Sequence, residues 1–307
     1  MPGRVDVELV RRGLARSRAQ AAALVSSGRV LSDGRPVAKP AAPTGPHTVL
    51  AVVPDADDAG HVSRAGGKLA GALDALAAHA RGSGVTDRVQ DGVCLDLGAS
   101  TGGFTDVLLR RGAAGVVALD VGHGQLVPEL RADPRVTVVE GFNVRDLTAD
   151  DLQSPPDLVV GDLSFISLRL VVPAVARSVG AGVPAVLLVK PQFEVGRERL
   201  GHGGVVRDPA LHVRSVVDVA AAARHVGLVP RGVVPSPLPG PSGNREYFVW
   251  FVRADDPSVE APPTEPVPPD AGPEDAVVAA AERAVAWQPG DGLPPVELCG
   301  TVPEGAS

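Results

Sequence analysis

The 307-residue sequence predicts an α/β fold with a doubly wound, mainly parallel sheet, preceded by a small α+β domain. Short apolar segments alternate with stretches of helical periodicity, and repeated βα units of this kind place parallel strands side by side with helices on both faces. One apolar segment leads into Asp-Leu-Gly-Ala-Ser-Thr-Gly-Gly-Phe (96–104), which opens a helix. A strand, a glycine-rich turn and a helix start hold nucleotide-like ligands at the edge of α/β sheets.

Charge is distributed unevenly along the chain. The net charge of −7 by itself argues against a nucleic-acid partner. Residues 1–40, however, contain eight basic and three acidic residues, whereas residues 254–307 contain eleven acidic residues and one basic residue. The distribution indicates a basic amino-terminal module, a nearly neutral middle and an acidic tail.

The cysteines and the apolar runs restrict the class of protein. Cys94 and Cys299 fit neither a metal-binding spacing nor a disulfide framework. The amino terminus has no apolar signal core, and no apolar run reaches the length of a membrane span. We therefore expect a cytoplasmic protein with no metal and no membrane partner.

A first domain is predicted at residues 1–53. Residues 4–25 have the pattern of two helices, 29–37 that of two short strands around an Asp-Gly turn, and 48–53 that of a final strand. Cations that project from one face of such a module can contact nucleic-acid phosphates. The alternative is an arginine-rich solvated face on a small capping domain.

We predict a linker at 54–62, the α/β domain at 63–253 and a tail at 254–307. An alanine-rich helix that reaches about residue 80 precedes the sheet. The remaining elements are predicted as strand 93–97, helix 103–111, strand 115–120, helix 127–131, strands 136–140 and 158–161, helix 168–178, strand 185–190, helix 209–226 and strands 228–234 and 246–253. We expect the tail to be disordered and dispensable for catalysis, with at most a short helix at 274–287.

The glycine spacing in the stretch 96–104 favours S-adenosylmethionine (SAM) over a dinucleotide. The spacing differs from the G-x-G-x-x-G pattern of dinucleotide sites, which bind a pyrophosphate, and SAM has no phosphate groups that must be bound. Asp120 closes the second strand, where a carboxylate can accept ribose hydroxyls, and Asn143 or Asp146 could contact the adenine amino group. The alternatives are turns without a ligand. The cofactor residues expected are Asp96, Gly98, Ser100, Gly102, Gly103, Phe104, Asp120 and Asn143.

Two further polar residues close neighbouring strands. Asp162 follows the fourth strand and Lys190 ends the fifth, so the two side chains should face each other where ligands of such sheets bind. A lysine at the end of an apolar strand is costly unless it is paired or functional. The alternative is a salt bridge with structural value only.

Motifs along the chain carry a resemblance to a known family. They are Val-Ser-Arg-x-x-x-Lys-Leu (62–69), Asp-Leu-Gly-Ala-Ser-Thr-Gly-Gly-Phe-Thr (96–105), Leu-Asp-Val-Gly-His-Gly-Gln-Leu (119–126), Asp-Leu-Ser-Phe-Ile-Ser-Leu (162–168), Val-Lys-Pro-Gln-Phe-Glu-Val-Gly (189–196), Gly-Gly-Val-Val-Arg-Asp (203–208) and Gly-Asn-Arg-Glu-Tyr-Phe (243–248). They resemble the FtsJ-type RNA 2′-O-methyltransferases and, in detail, the TlyA family of ribosomal RNA methyltransferases. The pattern Arg-x-Asp-x-x-Leu-x-x-x-Gly-Leu-x-x-Ser-Arg at 4–18 is similar to the ribosomal S-four-type RNA-binding domain.

The resemblance implies a Rossmann-like, SAM-dependent enzyme that methylates the ribose 2′-oxygen of ribosomal RNA, with cytidine as the expected nucleoside. Ribosomal RNA or ribosomal subunits are the implied partners. The family's Lys-Asp-Lys-Glu set falls on Lys68, Asp162, Lys190 and Glu246, with Lys190 as the base for the hydroxyl proton. The implied RNA-binding residues are Arg4, Arg16, Arg18, Lys39, Arg64 and Arg197.

The sequence leaves other functional classes of protein open. A haemolysin or pore-former, a label that some relatives carry, needs a membrane-insertable segment, which we do not find in the sequence. A non-catalytic RNA-binding assembly factor would retain the fold but not require the intact Lys-Asp-Lys-Glu set. An NAD oxidoreductase is disfavoured by the glycine spacing.

Overall fold

A computed structural model of the chain describes most of its residues and divides them into two compact units, Met1–Gly60 and His61–Ser307. The division falls within the stretch 54–62, where a linker is predicted. The described residues are 3–15, 18–26, 28–53, 61–80, 83–240, 242–254, 273–289 and 291–299.

The smaller unit combines two helices with five short strands. Its elements are β1 (Gly3–Arg4), α1 (Val5–Arg11), α2 (Arg18–Ser26), β2 (Val30–Ser32), β3 (Arg35–Pro36), β4 (Pro43–Thr44) and β5 (Leu50–Val52). Strand β1 pairs with β4, and an antiparallel sheet has the order β3-β2-β5. Asp33 and Gly34 turn the chain between β2 and β3 in the left-handed region, as the Asp-Gly pattern predicts. Apolar side chains such as Leu9, Val25 and Val30 form the core of this unit.

The larger unit is built on an eight-stranded sheet. Its strands are β6 (Val93–Leu97), β7 (Gly115–Asp120), β8 (Val136–Glu140), β9 (Leu158–Gly161), β10 (Pro184–Val189), β11 (Leu228–Pro235), β12 (Tyr247–Arg253) and β13 (Glu297–Leu298). Its helices are α3 (Arg64–His79), α4 (Gly103–Arg110), α5 (Pro128–Arg131), α6 (Val172–Ser178), α7 (Pro191–Glu194), α8 (Pro209–His225) and α9 (Pro273–Ala286). The strand order is β13-β11-β12-β10-β9-β6-β7-β8.

Five neighbouring strands of this sheet, from β10 to β8, run parallel, and β12, β11 and β13 pair antiparallel. Successive side chains of a strand point to opposite faces. Leu95 and Leu97 accordingly pack in the core with α6 and α8, whereas Cys94 packs with α3 and α4. The predicted doubly wound, mainly parallel architecture is confirmed.

The element predicted as one helix at 168–178 is divided in two. Leu168–Leu170 forms a single 3₁₀ turn, and α6 begins after it. Pro173 lies in the first turn of α6, where its missing N–H group is tolerated, although it would interrupt the hydrogen bonds of a continuous helix.

The carboxyl-terminal segment corrects the expectation of a disordered tail. Helix α9 forms close to the helix considered at 274–287, and Val277, Ala280 and Ala284 are buried on it. Because these side chains recur at helical spacing, α9 has an apolar face, which packs against α8 and β11. Strand β13 pairs with β11 at the edge of the sheet. The disorder prediction was based on the acidic and proline-rich composition of the tail, and it is wrong for the described part of the tail.

Candidate active site

The glycine-rich stretch turns the chain tightly between β6 and α4. Gly98 and Gly102 have φ angles of 83° and 98°, in the left-handed region that favours glycine. A Cβ atom at Gly98 would lie 3.0 Å from the carbonyl oxygen of Asp162, and one at Gly102 would lie 2.3 Å from a methyl carbon of Leu130. Glycine is therefore required at both positions by conformation and by close packing.

A cavity of about 770 Å³ opens beside this turn. Gly98, Ser100, Asp120 and Asn143, four of the predicted cofactor residues, line it. Asp120 accepts hydrogen bonds from the backbone N–H groups of Ser100 at 2.8 Å and Gly122 at 2.7 Å. Its carboxylate is thereby fixed at the carboxyl end of β7, at the wall of the cavity.

The other predicted cofactor residues shape the turn. Gly103 and Phe104 line a second, smaller cavity, and Gly102 precedes the first residue of α4. Asp96 is fully buried, and Thr105 Oγ1 donates a hydrogen bond to it at 2.7 Å. Burial raises the pKa of Asp96 to about 7, although the bond from Thr105 opposes the shift. Asp96 therefore supports the start of α4 from within the core.

The smaller cavity, of about 210 Å³, adjoins the larger one and is lined by both lysines of the expected set. Lys190 Nζ lies 2.6 Å from Asp162 Oδ1 and donates a hydrogen bond to Ser164 Oγ at 2.8 Å. The expectation that Asp162 and Lys190 face each other is confirmed, because β9 and β10 are parallel neighbours whose carboxyl ends meet.

The other two residues of the set also form an ion pair. Lys68, in the second turn of α3, donates to Glu246 Oε2 at 2.5 Å, and only 6% and 1% of the two side chains are exposed. Gln192 Nε2 donates to the second oxygen of Glu246 at 3.2 Å. The structure thus brings Lys68, Asp162, Lys190 and Glu246 together as two ion pairs.

Three polar residues of the site were not singled out from the sequence, although all lie inside the quoted motifs. They are Ser164, Gln192 and Glu194. Glu194 is buried, which raises its pKa, and it accepts hydrogen bonds from Ser167 Oγ at 2.5 Å and the backbone N–H of Leu168 at 2.7 Å. It anchors the loop that follows β9.

In the smaller unit, two arginines share one carboxylate. Arg4 and Arg18 lie 3.0 and 3.2 Å from Asp6, and hydrogen bonds from Arg4 and Arg18 hold the pKa of Asp6 below its usual range. The guanidinium side chains stay 51% and 61% exposed. Lys39 is exposed on the same unit, and Arg16 lies outside the described residues.

The larger unit contains the other two predicted RNA contacts. Arg64 is exposed at the start of α3 and lines the smaller cavity. Arg197 begins a 3₁₀ turn at 197–199. Within the part of the chain that the structure describes, no group of three or more metal-binding side chains is assembled. The helices in these same ranges are all too short or too polar to span a bilayer.

A doubly wound sheet with a cavity at its glycine turn, next to paired lysines and carboxylates, fits the methyltransferase class. Residues 61–253 match the FtsJ-like methyltransferases, and residues 3–49 match the S4 domain. The chain belongs to the FtsJ-like methyltransferase family, within which it is one of the TlyA-type members.

Individual relatives agree with this assignment. The chain is 54% identical, over 84% of its length and 92% of the relative, to the 16S/23S rRNA (cytidine-2′-O)-methyltransferase TlyA of Mycobacterium tuberculosis. It is 35% identical, over 81% of its length and 99% of the relative, to Hemolysin A of Brachyspira hyodysenteriae. The solved structure of a protein described as a haemolysin from Streptococcus thermophilus has a TM-score of 0.66 and 36% identity, covering 93% of this chain and 97% of that one.

Proposed function

We propose that this protein transfers a methyl group from SAM to the ribose 2′-oxygen of cytidine in ribosomal RNA. The observation that carries the proposal is the junction of the two cavities, where the ion pair of Lys190 and Asp162 adjoins the turn at Gly98. A base at this junction can act on a hydroxyl group in the smaller cavity while a cofactor occupies the larger one. The named activity of the TlyA relative supports cytidine in ribosomal RNA as the substrate.

The larger cavity fits SAM in size and in chemistry. Its volume lies in the range of small-molecule sites. Asp120 presents a carboxylate at a strand end, where ribose hydroxyls can donate to it, and Gly98 allows the backbone to approach a ligand closely. When bound, SAM supplies a methyl group that its sulfonium charge has already activated. Gly98, Ser100, Asp120 and Asn143 would hold it.

Lys190 is the base of the proposed reaction. The ammonium group that pairs with Asp162 must first release one proton to solvent. The neutral amine then takes the proton of the 2′-hydroxyl group onto Nζ, which turns a poor nucleophile into a reactive one. Asp162, 2.6 Å away, stabilises the ammonium group that results. The ends of β9 and β10 hold both side chains in place, which contributes alignment as well as proton transfer.

Lys68 and Glu246 align the acceptor in this proposal. Lys68 lines the smaller cavity and uses one N–H group for Glu246, so two donors of its ammonium group are left for the acceptor nucleotide. Glu246 is sealed from solvent and held by Gln192, so its part is to fix Lys68.

The smaller unit supplies the RNA-binding surface of the proposal. Arg4 and Arg18 are held side by side by Asp6 while their guanidinium groups stay accessible, an arrangement suited to phosphate groups. Arg16, Lys39, Arg64 and Arg197 are further proposed contacts. A substrate of ribosomal RNA or ribosomal subunits places the proposed activity in the cytoplasm.

Transfer of tritium from methyl-labelled SAM to ribosomal RNA, followed by mass-spectrometric mapping of the modified ribose, tests the proposal. We expect label on the 2′-oxygen of a cytidine. The Lys190→Ala variant should lose transfer while SAM still binds. Turnover in that variant, or label on a base instead of a ribose, would contradict the proposal.

The same purified protein separates the rival classes. Because one relative is named Hemolysin A, leakage of dye from liposomes is the matching assay, and we expect release no greater than in buffer alone. Binding to ribosomal RNA without any transfer of label would instead identify a non-catalytic assembly factor.

A further inference from the structure

We propose that Ser164 is a positioning residue for the base, and that its hydroxyl group directs the lone pair of Lys190 towards the acceptor ribose. This inference deepens the proposed function and rests on it. Ser164 Oγ accepts a hydrogen bond from Lys190 Nζ at 2.8 Å, and Asp162 Oδ1 lies 2.6 Å from the same nitrogen. Lys190 therefore has two fixed oxygen neighbours.

Two oxygen neighbours determine where the reactive side of the nitrogen points. A neutral amine has two N–H groups and one lone pair in a tetrahedral arrangement. Ser164 accepts one N–H group, and the negative charge of Asp162, 2.6 Å from the nitrogen, attracts the other. The lone pair then occupies the remaining direction, and rotation about the Cε–Nζ bond breaks the hydrogen bond to Ser164. Lys190 lines the smaller cavity, so this direction is available to an acceptor hydroxyl there. With Asp162 alone, the amine has several equivalent orientations.

Ser164 also lies where the two cavities meet. The residues that line both cavities are Gly98, Ser100, Asp162 and Ser164. Gly98 has no side chain, and the hydroxyl group of Ser100 donates to Gln125 Oε1 at 3.2 Å. Ser164 is thus the shared hydroxyl group that contacts the base.

The loop that carries Ser164 is anchored at both ends. The backbone N–H of Asp162 donates to the carbonyl oxygen of Leu97 at 3.0 Å, and the carboxylate of Glu194 holds the far end. Phe165, next to Ser164, is 91% exposed, and its ring lies 5.3 Å from that of Phe193. The position of Ser164 is therefore set by the fold.

Three substitutions at Ser164 isolate the hydroxyl group. Ser164→Ala removes the acceptor, Ser164→Cys keeps a side chain of similar size with a weak acceptor, and Ser164→Thr keeps the hydroxyl group. We expect kcat for methylation of ribosomal RNA to fall about tenfold in the Ala and Cys variants, with KM for SAM and RNA within about twofold of the wild type. The Thr variant should recover most of the lost kcat.

Ser167→Ala is the matched control, because it removes a hydroxyl group from the same loop without contact to Lys190. It weakens the Glu194 anchor and alters the wall of the larger cavity, so we expect KM for SAM to rise more than kcat falls. Full kcat in Ser164→Ala, the same kinetic pattern in both alanine variants, or no recovery in Ser164→Thr would overturn the role of Ser164. Turnover in Lys190→Ala would instead overturn the proposed function, so the two failures are distinguishable.

Discussion

The two ion pairs of the site differ in origin and in access to solvent. Lys190 and Asp162 come from the ends of neighbouring parallel strands, and their side chains are 9% and 14% exposed at the cavity junction. Lys68 and Glu246 come from α3 and from the residue before β12, and their side chains are 6% and 1% exposed. Both lysines line the smaller cavity, but their carboxylates differ: Asp162 lines the cavity as well, whereas Glu246 seals the second pair on its far side. We therefore assign proton transfer to the first pair, and alignment and stability to the second.

Burial also sets the cost of losing one partner. Removing one side of a buried ion pair leaves an uncompensated charge, and the penalty grows as water is excluded. At the first pair, Asp162 is 14% exposed and water can compensate in part, whereas at the second pair Gln192 is the remaining partner that hydrogen-bonds Glu246. Substitutions at the two lysines should therefore separate activity from stability.

The largest expected effect is on catalysis, at Lys190. Lys190→Met should lower kcat for methyl transfer by about 10³-fold or more, since it removes the proposed general base, while the Kd for SAM stays unchanged. Lys190→Arg is the control that keeps a positive charge beside Asp162 without a group that can accept a proton, and it should be equally inactive. Single-turnover methylation of ribosomal RNA measures both variants, and activity in Lys190→Arg would refute the assignment of the base.

At the second pair, the main expected effect is on stability. Lys68→Met should lower the free energy of unfolding by about 3–5 kcal/mol, because Glu246 is left buried without its cation. Urea unfolding followed by circular dichroism measures the change. The double variant Lys68→Met/Glu246→Leu should recover part of the stability but not the activity. If Lys68→Met is as stable as the wild type, the second pair does not have the stabilising role assigned to it.

Asp96 makes the stability of the larger unit depend on pH, and it lies on β6, beside the strand that leads to Asp162. Its pKa of about 7 is raised mainly by burial and further by the charge of Asp162. Between about pH 4 and pH 7 the folded chain holds a proton on Asp96 that the unfolded chain has lost, so the stability from this proton falls as pH rises. Relative to Asp96→Asn, the wild type should lose about 2–4 kcal/mol across that range. Urea unfolding at pH 4 and at pH 7 measures the change. An equal change in the free energy of unfolding of the two proteins between these pH values would contradict this expectation.

The smallest effect is expected at Arg245, which connects α9 to the loop of Glu246. Its guanidinium group donates to the carbonyl oxygens of Val285, at 2.7 Å, and Trp287. Arg245→Met should lower the free energy of unfolding by about 2 kcal/mol and reduce kcat severalfold, because Glu246 loses a support on its neighbour.

The control for Arg245 is Arg214→Met, which removes an exposed arginine of α8 that pairs with Asp218 at 3.4 Å. Exposed pairs contribute little, so its unfolding curve and kcat should match those of the wild type. Equal effects of the two substitutions would remove the proposed link between α9 and the second pair.

Much of the fold follows from local sequence patterns. Apolar runs with flanking helical periodicity correctly predicted the strands from β6 to β12, and the Asp-Gly turn correctly predicted the hairpin of β2 and β3. The division at 168–172 was not predicted, and α9 was considered only as a short helix within a tail expected to be disordered. In both cases a tertiary contact decides: the carboxylate of Glu194 holds Leu168, and the apolar face of α9 is stable only against α8 and β11.

The site is predictable where strand order alone brings residues together. Asp162 and Lys190 could be paired because parallel strand ends converge, and Asp120 could be placed at the cavity for the same reason. Lys68 and Glu246 were placed at the site by family resemblance, and their pairing with each other was not predicted, since neither local pattern points to the other. Ser164 and Glu194 have no periodic signal. Ser164 lies in the loop after β9 and contacts Lys190, and Glu194, at the end of α7, holds that loop through Ser167.

The sequence by itself determined the doubly wound sheet, the glycine turn and which polar residues stand at the strand ends. These features are local, since backbone conformation and apolar periodicity are written in neighbouring residues. The tertiary structure decided which carboxylate pairs with each lysine, that Glu246 is sealed while Asp162 lines the cavities, and that the acidic tail adds a strand to the sheet. Burial and pairing depend on residues far apart in the chain, and no local pattern encodes how deeply a charge is buried.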